Sequence, residues 1–382
     1  MREALARVAL VLLAPIDWAV LCVLAASELV GRLRARRAPL RPPLFEPCTE
    51  NCSVVVVGWH GEGTLRHALA ALRDALAEYP GRHEILLVRD QRVASVPGAL
   101  CQAEAPGVTF LEPAHELDYA AATRFAIERA AHDVVVLINH DTFVDLNFLA
   151  SLLTPLRHDP EVFGVASRVV NRSCAAVETG VTRIRDTGRD IVWLHEPVQP
   201  GDEARDACPV SWLHRGAIAI DRRKYRWLGG FDPLFDPFYF DDVDISHRAW
   251  KAGWCCLMAP ASRVSHDERH DGSPRYDELL HAIAVRNAYT FVWKDVGDLR
   301  MLAHACLGAA GRRVRRARAS GLGARVELAA FIAALRRVRS IARGRRAVAR
   351  ASRRSDREVL GLVDGERNSS RSPSRRWSET QE

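Results

Sequence analysis

Three clusters of side chains stand out by what they could do chemically. Asn139, His140, Asp141 and Thr142 follow directly on the apolar run Asp133–Ile138 (DVVVLI). A carboxylate just beyond a buried strand can hold Mg2+ or Mn2+ against a diphosphate, because phosphate oxygens leave only one or two ligands for the protein to supply. The plain alternative for Asp141 is a turn or a helix cap. Further on, Phe240-Asp241-Asp242-Val243-Asp244 follows Gly229-Gly230-Phe231-Asp232 and precedes Arg248, Trp250 and Gly253. Three carboxylates in four residues repel one another, which raises a pKa toward the range useful to a general base. The plain reading is an acidic first helical turn favoured by the helix dipole, and Asp244 fits it well. Ser265-His266-Asp267, with His270 beyond, offers an imidazole able to ligate a metal or touch a diphosphate. Its plain reading is a satisfied polar group.

The elements that must position these residues are legible in the apolar pattern. Ser53–Val57 (SVVVV), Glu84–Val88 (EILLV) and DVVVLI read as strands that are apolar throughout. Between them lie a helix with Leu65, Leu69, Leu72 and Leu76 on one face, capped by Thr64, and a second helix near Tyr119–Ala131. Such alternation predicts an α/β fold with a parallel sheet covered on both faces. Ligands of such sheets bind beyond the carboxyl ends of the strands, so chemistry is expected after Val57, Val88 and Ile138.

Composition narrows the class. The 382 residues carry a net charge of +7 and are 48% hydrophobic, which excludes a disordered chain, a collagen and a small disulfide scaffold. Nine scattered cysteines without a CxxC pair read as free thiols, and Cys255-Cys256 as a buried strand pair. Three lysines against 51 arginines read as compositional bias rather than chemistry. Residues 51–300 hold 27 Lys and Arg against 35 Asp and Glu, whereas residues 301–382 hold 20 Arg against seven acids. An acidic body between basic ends argues against nucleic acid and suits an anionic membrane surface. Val8–Ala26 is apolar apart from Asp17 and is followed by Arg32, Arg34, Arg36 and Arg37. That predicts a membrane anchor, spanning or re-entrant, with a surface or packed helix and a cleaved signal as alternatives. Leu328, Phe331, Ile332, Leu335, Val338 and Ile341 predict one basic amphipathic helix, packed on the body or docked on a membrane.

The order of these motifs resembles the family 2 glycosyltransferases, inverting enzymes with a GT-A fold that use nucleotide-sugar donors. SVVVVGWHGEGTLRHAL resembles the opening strand, loop and helix of that family, and VVVLINHDT its metal-binding aspartate motif. The run from GAIAIDRRKYRWLGGFDPLF through FDDVDISHRAWKAGW resembles the acceptor-side segment with the catalytic base. RVSHDER resembles the histidine segment, VRNAYTFVWKD the closing helix, and ASRRSDREVLGLV the tail of rhamnosyltransferase-like members. The resemblance implies Asp141 as metal ligand, with Asn139 at the motif's first acid, and Asp242 as base, with Asp241 where Glu is usual. It implies His266 as a second metal ligand and Gly216 in a small-residue stretch facing the acceptor. Gly58, His60 and Asp90 join Asn139 and Asp141 on the donor side. Two positions depart from the pattern. Arg89 stands where an acid is usual, one residue before Asp90, and Arg124 lies one position along from an expected Arg-Asn pair.

These readings predict a membrane-anchor helix at 1–31, a Pro/Arg-rich linker at 32–50 and a GT-A domain with a mainly parallel sheet at 51–300. A basic helical region at 301–365 and a disordered tail at 366–382 would follow. The expected function is transfer of a sugar from a nucleotide diphosphate, with Mg2+ or Mn2+, to a glycan or lipid-linked acceptor. The expected setting is bacterial surface polysaccharide or glycolipid synthesis at the cytoplasmic face of the inner membrane. The alternative is an inactive relative serving as a binding or scaffold protein.

Overall fold

The computed structural model describes residues 13–34, 40–58, 62–88, 107–171, 177–198, 206–266, 274–319 and 324–365. The expected tail at 366–382 lies outside them.

Helix α1 (Ala14–Arg34) precedes a run of β1 (Cys52–Val57), α2 (Glu62–Ala77), β2 (His83–Val88), β3 (Val108–Leu111), α3 (Tyr119–Arg129) and β4 (Val134–Asn139). The valine-rich strands are buried on both faces. Val54 and Val56 pack into one core layer with Leu65, Leu69, Leu72 and Leu76 of α2. Val55 and Val57 pack into the other with Ala122, Ala126 and Ile127 of α3. Burial on both sides is why these segments are apolar throughout rather than alternating. Helix α2 begins at Glu62, so Thr64 lies within its first turn rather than capping it. The strands β1, β2 and β4 are parallel and in step, pairing Val57 with Val88 on one side and with Asn139 on the other. The strand ends expected to carry chemistry therefore lie in one row.

The second half adds β5 (Thr142–Val144), α4 (Phe148–His158), β6 (Val162–Asn171), β7 (Val177–Thr179), the hairpin β8 (Val181–Asp186) and β9 (Ile191–Glu196), β10 (Cys208–Pro209) and β11 (Ala217–Asp221). Then come α5 (Arg222–Trp227), α6 (Asp241–Ala252), β12 (Cys255–His266) and α7 (Pro274–Asp295). The sheet order is β10-β12-β6-β11-β4-β1-β2-β3. The sheet is mixed and mostly parallel, as the mainly parallel expectation had it. It is parallel from β3 to β4 and between β6 and β12, but β11 runs antiparallel to both β4 and β6. Cys255 and Cys256 lie at the start of β12, with Cys256 fully buried.

Four helices close the described chain: α8 (Leu299–Ala319), α9 (Ala324–Arg336), α10 (Val338–Ala351) and α11 (Asp356–Gly365). The single amphipathic helix expected here is two, divided at Arg337. Phe331 and Ile341 are nevertheless both buried, in the core that also holds Trp293 of α7.

The membrane anchor expected in the same region is not confirmed. Among the described residues no helix is long and apolar enough to cross a membrane. Val20, Leu21 and Leu24 of α1 are buried in a core shared with the C-terminal helices, α1 packing mainly on α8 and α10, and Asp17 pairs with Arg313 of α8 there. The acid that would be costly inside a bilayer is satisfied inside the protein. Ile16, Trp18 and Val23 form the outer, exposed side of α1.

All three lysines are buried, each against carboxylates. Lys224 meets Asp221 at 3.0 Å, Lys251 meets Asp356 at 3.0 Å, and Lys294 pairs with Asp244, Asp232 and Asp295.

The Asp17–Arg313 pair yields a stability prediction. Asp17→Ala strands a guanidinium in an apolar interface and should cost about 3–5 kcal/mol in urea denaturation, whereas Asp17→Leu with Arg313→Met together should recover most of that loss.

Candidate active site

The metal-type residues sit where β4 ends. Residues 139 to 142 leave the sheet in a sharp turn, after which β5 pairs antiparallel with β12 and sets His266 opposite Thr142. That register brings the His266 imidazole Nε2 to 3.0 Å from the Asp141 carboxylate across 125 residues of chain. Burial pushes the Asp141 carboxyl up, but the hydrogen bond from His266 and the charges of His266 and His140 outweigh it and hold it below the usual range. The carboxylate is therefore ionised at neutral pH. Gly58, in the left-handed region at φ 97°, lies against this turn, and a Cβ there would stand 2.9 Å from the His140 ring. Asn139 accepts a hydrogen bond of 2.6 Å from the Tyr119 hydroxyl at the start of α3.

The acidic triplet forms the first turn of α6, a helix buried along its whole length. Its three carboxylates have separate fates. Asp241 pairs with Arg215, whose guanidinium also lies over the rings of Tyr119 and Phe231, each at 4.9 Å. Asp244 is held by Arg248 and Lys294, and although burial opposes it these cations pull its carboxyl down to about 2. It is structural, as the plain reading had it. Asp242 forms no ion pair among the described residues and takes one hydrogen bond, 2.8 Å, from the Val243 N–H. Burial pushes its carboxyl up, and the charges of Arg215 and His195 with the backbone N–H groups only partly offset this. A carboxylate raised by burial, with cations near but not bonded, is the state a general base needs.

The two halves converge on Tyr119. Burial raises its hydroxyl, the Arg215 charge and hydrogen bond lower it, and both Asp141 and Asp242 act on it electrostatically. Asn139, Asp141, Tyr119, Arg215 and Asp242 thus share one locality. Of the other expected residues, Gly58 is beside it, while His60, Asp90 and the departing Arg89 lie outside the described residues. Gly216 gives a carbonyl to the Asn139 N–H at 3.4 Å, and a Cβ on it would stand 2.7 Å from Val169. Arg124, the other departure, makes a two-pronged bond to Asp236 at 2.6 and 2.8 Å, tying α3 to the loop before α6.

Asp141 and His266 fit a divalent ion as part of its shell. One ionised oxygen in the turn after β4 and one imidazole on β12 would give a divalent ion two ligands, and a diphosphate would supply further oxygens. Among the described residues no group of three or more such ligands is assembled. Sequence reasoning missed Arg215, His195 and His214, whose buried imidazole is held neutral with a pKa near 3, first by desolvation and then by neighbouring positive charge. No local spacing announces them, because they come from a hairpin and a strand entry far from either motif.

Comparison with known proteins bears on the family and the fold. Residues 50–284 match the family model described as glycosyltransferase like family 2. A Drosophila melanogaster protein, named as putative polypeptide N-acetylgalactosaminyltransferase 10, is 29% identical over 181 residues, which is 44% of this chain and 28% of the relative. The N-acetylglucosaminyl-diphospho-decaprenol L-rhamnosyltransferase of Mycobacterium tuberculosis is 30% identical over 122 residues, 28% of this chain and 39% of the relative. The chain thus spans well under half the length of these curated relatives. The solved structure of GalNAc-T7 with UDP, GalNAc and Mn2+ matches with a TM-score of 0.50 and 18% identity over 72% of this chain and 58% of that one. At that identity the likeness shows a shared fold, the GT-A fold.

The raised pKa of Asp242 sets a sign. Its ionised form is the costlier one in the folded state, so its contribution to stability is present below the unfolded carboxylate pKa and lost as pH rises through the raised value. Asp242→Asn should therefore raise stability at pH 7 by roughly 0.5–2 kcal/mol, with the gain shrinking toward pH 4. Melting curves across that range check it.

Proposed function

The chain belongs to the glycosyltransferase-like family 2, and from that membership we propose that it is an inverting glycosyltransferase acting on a nucleotide-diphosphate sugar. The observation that carries this reading is the convergence of two differently tuned carboxylates, Asp141 held ionised and Asp242 raised, on the shared Tyr119–Arg215 pair.

In this reading Asp242 accepts the proton of an acceptor hydroxyl as that oxygen attacks the anomeric carbon. The new carbon–oxygen bond forms on the face opposite the diphosphate, the bond to the diphosphate breaks, and one displacement inverts the centre. Arg215 holds Asp241, and its charge partly offsets the rise that burial imposes on the Asp242 carboxyl. Asp141 and His266 would hold a divalent metal, which when bound neutralises the leaving diphosphate. Tyr119, by fixing Asn139, orients the turn that presents Asp141.

Cell-envelope synthesis at the cytoplasmic face of the inner membrane is the setting we infer. The support is the excess of arginine beyond residue 300 and the outer side of α1, where Ile16, Trp18 and Val23 are exposed while Asp17 is turned inward. A helix apolar on its outer side and flanked by basic residues lies in an anionic lipid surface rather than through it.

Three measurements bear on this. UDP-, dTDP- and GDP-sugars with Mn2+ should include one that raises the melting temperature, by the equivalent of about 2.7 kcal/mol at a hundredfold excess over Kd, and Asp141→Ala should abolish the metal-dependent part. With that donor, kcat/KM should climb with pH through a pKa above the ordinary carboxylate value of about 4, and Asp242→Asn should reduce kcat by roughly 10²–10⁴ while sparing donor binding. Failure of every donor to stabilise a well-folded sample would favour a scaffold. Sedimentation with vesicles containing anionic lipid should fall when Trp18 and Val23 are both changed to Glu. Unchanged sedimentation would remove α1 from the membrane-facing surface.

A further inference from the structure

The loop leading into α6 carries two consecutive non-glycine residues in the left-handed region, Tyr239 at φ 69° and Phe240 at φ 67°. Bulky residues avoid this conformation, and it persists only where the surroundings over-determine it. Here they do. The Asn287 amide, fully buried on α7, donates to the carbonyls of Phe235, Phe238 and Tyr239 at 2.9, 3.0 and 2.8 Å. Arg286 takes the Asp236 carbonyl, the Ala120 N–H takes that of Pro237 at 3.2 Å, and the Asp244 N–H takes that of Phe240 at 2.8 Å. Every carbonyl from 235 to 240 is thereby held.

The two strained residues direct their rings differently. Phe240 packs inward, edge-on to Trp193 at 5.1 Å. Tyr239 is 44% exposed, three residues before Asp242. If the backbone shape alone mattered, glycine or asparagine would adopt it at less cost. The Tyr239 ring stands edge-on to Phe238 at 5.0 Å and still leaves apolar ring surface exposed at a strained position beside a base. His195 on β9 lies near enough to act on the Asp242 charge, its ring edge-on to Trp212 and His214.

We propose that Tyr239 is a carbohydrate platform on the acceptor side, stacking on the apolar face of the sugar whose hydroxyl is presented to Asp242. Aromatic rings give large, rigid contact area at little conformational cost, and the phenol edge adds a polar handle for a sugar hydroxyl. This rests on the transferase reading above.

The test uses the full chain, the variants Tyr239→Phe and Tyr239→Asn, and a panel of p-nitrophenyl α- and β-glycosides as acceptor probes. Binding is read by ligand-observed NMR, acceptor KM with the donor that stabilises the protein, and stability by melting. Tyr239→Asn should melt no earlier than the parent, because asparagine tolerates the left-handed region. It should bind the preferred glycoside roughly tenfold more weakly, with donor-induced stabilisation unchanged. Tyr239→Phe should keep most of the affinity. Equal binding by the Asn variant, an early melt confined to it, or no glycoside bound by the parent would each overturn the platform. Transfer with an unchanged acceptor KM in the Asn variant would sink the platform and leave the transferase standing. Ring-dependent glycoside binding without any transfer would do the reverse.

Discussion

A helix buried on every side cannot carry six ionisable side chains unless their charges are met, and α6 is such a helix. Asp241 is met by Arg215, Asp244 by Arg248 and Lys294, and His247 and Lys251 by Asp356. Asp242 is the member left without an ion pair among the described residues, and it is the one whose carboxyl is pushed upward. The surrounding pairs do two things at once. They satisfy charges whose burial would otherwise cost several kcal/mol each, and they keep neighbouring carboxylates from competing with Asp242 for the proton. The base is thus defined by the pairing of its neighbours as much as by its own position.

That dependence reaches into parts of the chain with no motif of their own. Asp356, at the start of α11, accepts from the Gly297 and Asp298 N–H groups at 2.8 and 2.7 Å while holding His247 and Lys251. Burial works against its charge, but the Lys251 charge and the His247 and Lys251 hydrogen bonds hold it far below the ordinary carboxylate range. The segment after the sheet domain is therefore part of the scaffold of α6. Asp295 shows the opposite outcome. Burial and the Asp244 charge push its carboxyl well up, and Lys294 offsets this only in part.

What could be read from the residues alone followed how local each signal was. The β1, β2 and β4 strands, α2 and the placing of Asn139 and Asp141 after β4 came from uninterrupted apolar runs, whose cause is burial on both faces. The Asp141–His266 contact was reachable only through the family resemblance, because it arises from the β5–β12 register. Arg215, Asn287 and the Arg124–Asp236 and Asp17–Arg313 pairs left no trace in spacing, since their partners are separated by up to 296 residues. Asp17 did signal trouble for an anchor, but its partner was out of sight. The break at Arg337 was missed because both helices bury the same face, which makes their combined pattern continuous.

The burial of all three lysines also bears on how this protein meets reagents and enzymes. A compact ammonium with three rotatable donors suits a crowded carboxylate cluster better than the planar guanidinium fork, and every lysine of the chain is used that way. Among lysines and arginines, the described surface then presents its positive charge as guanidinium. Acylating reagents, amine-directed cross-linkers, acetyltransferases and ubiquitin ligases all require an accessible ε-amine, and the folded chain offers them none. Labelling of any lysine in this protein would report that α5, α6 or α7 had opened.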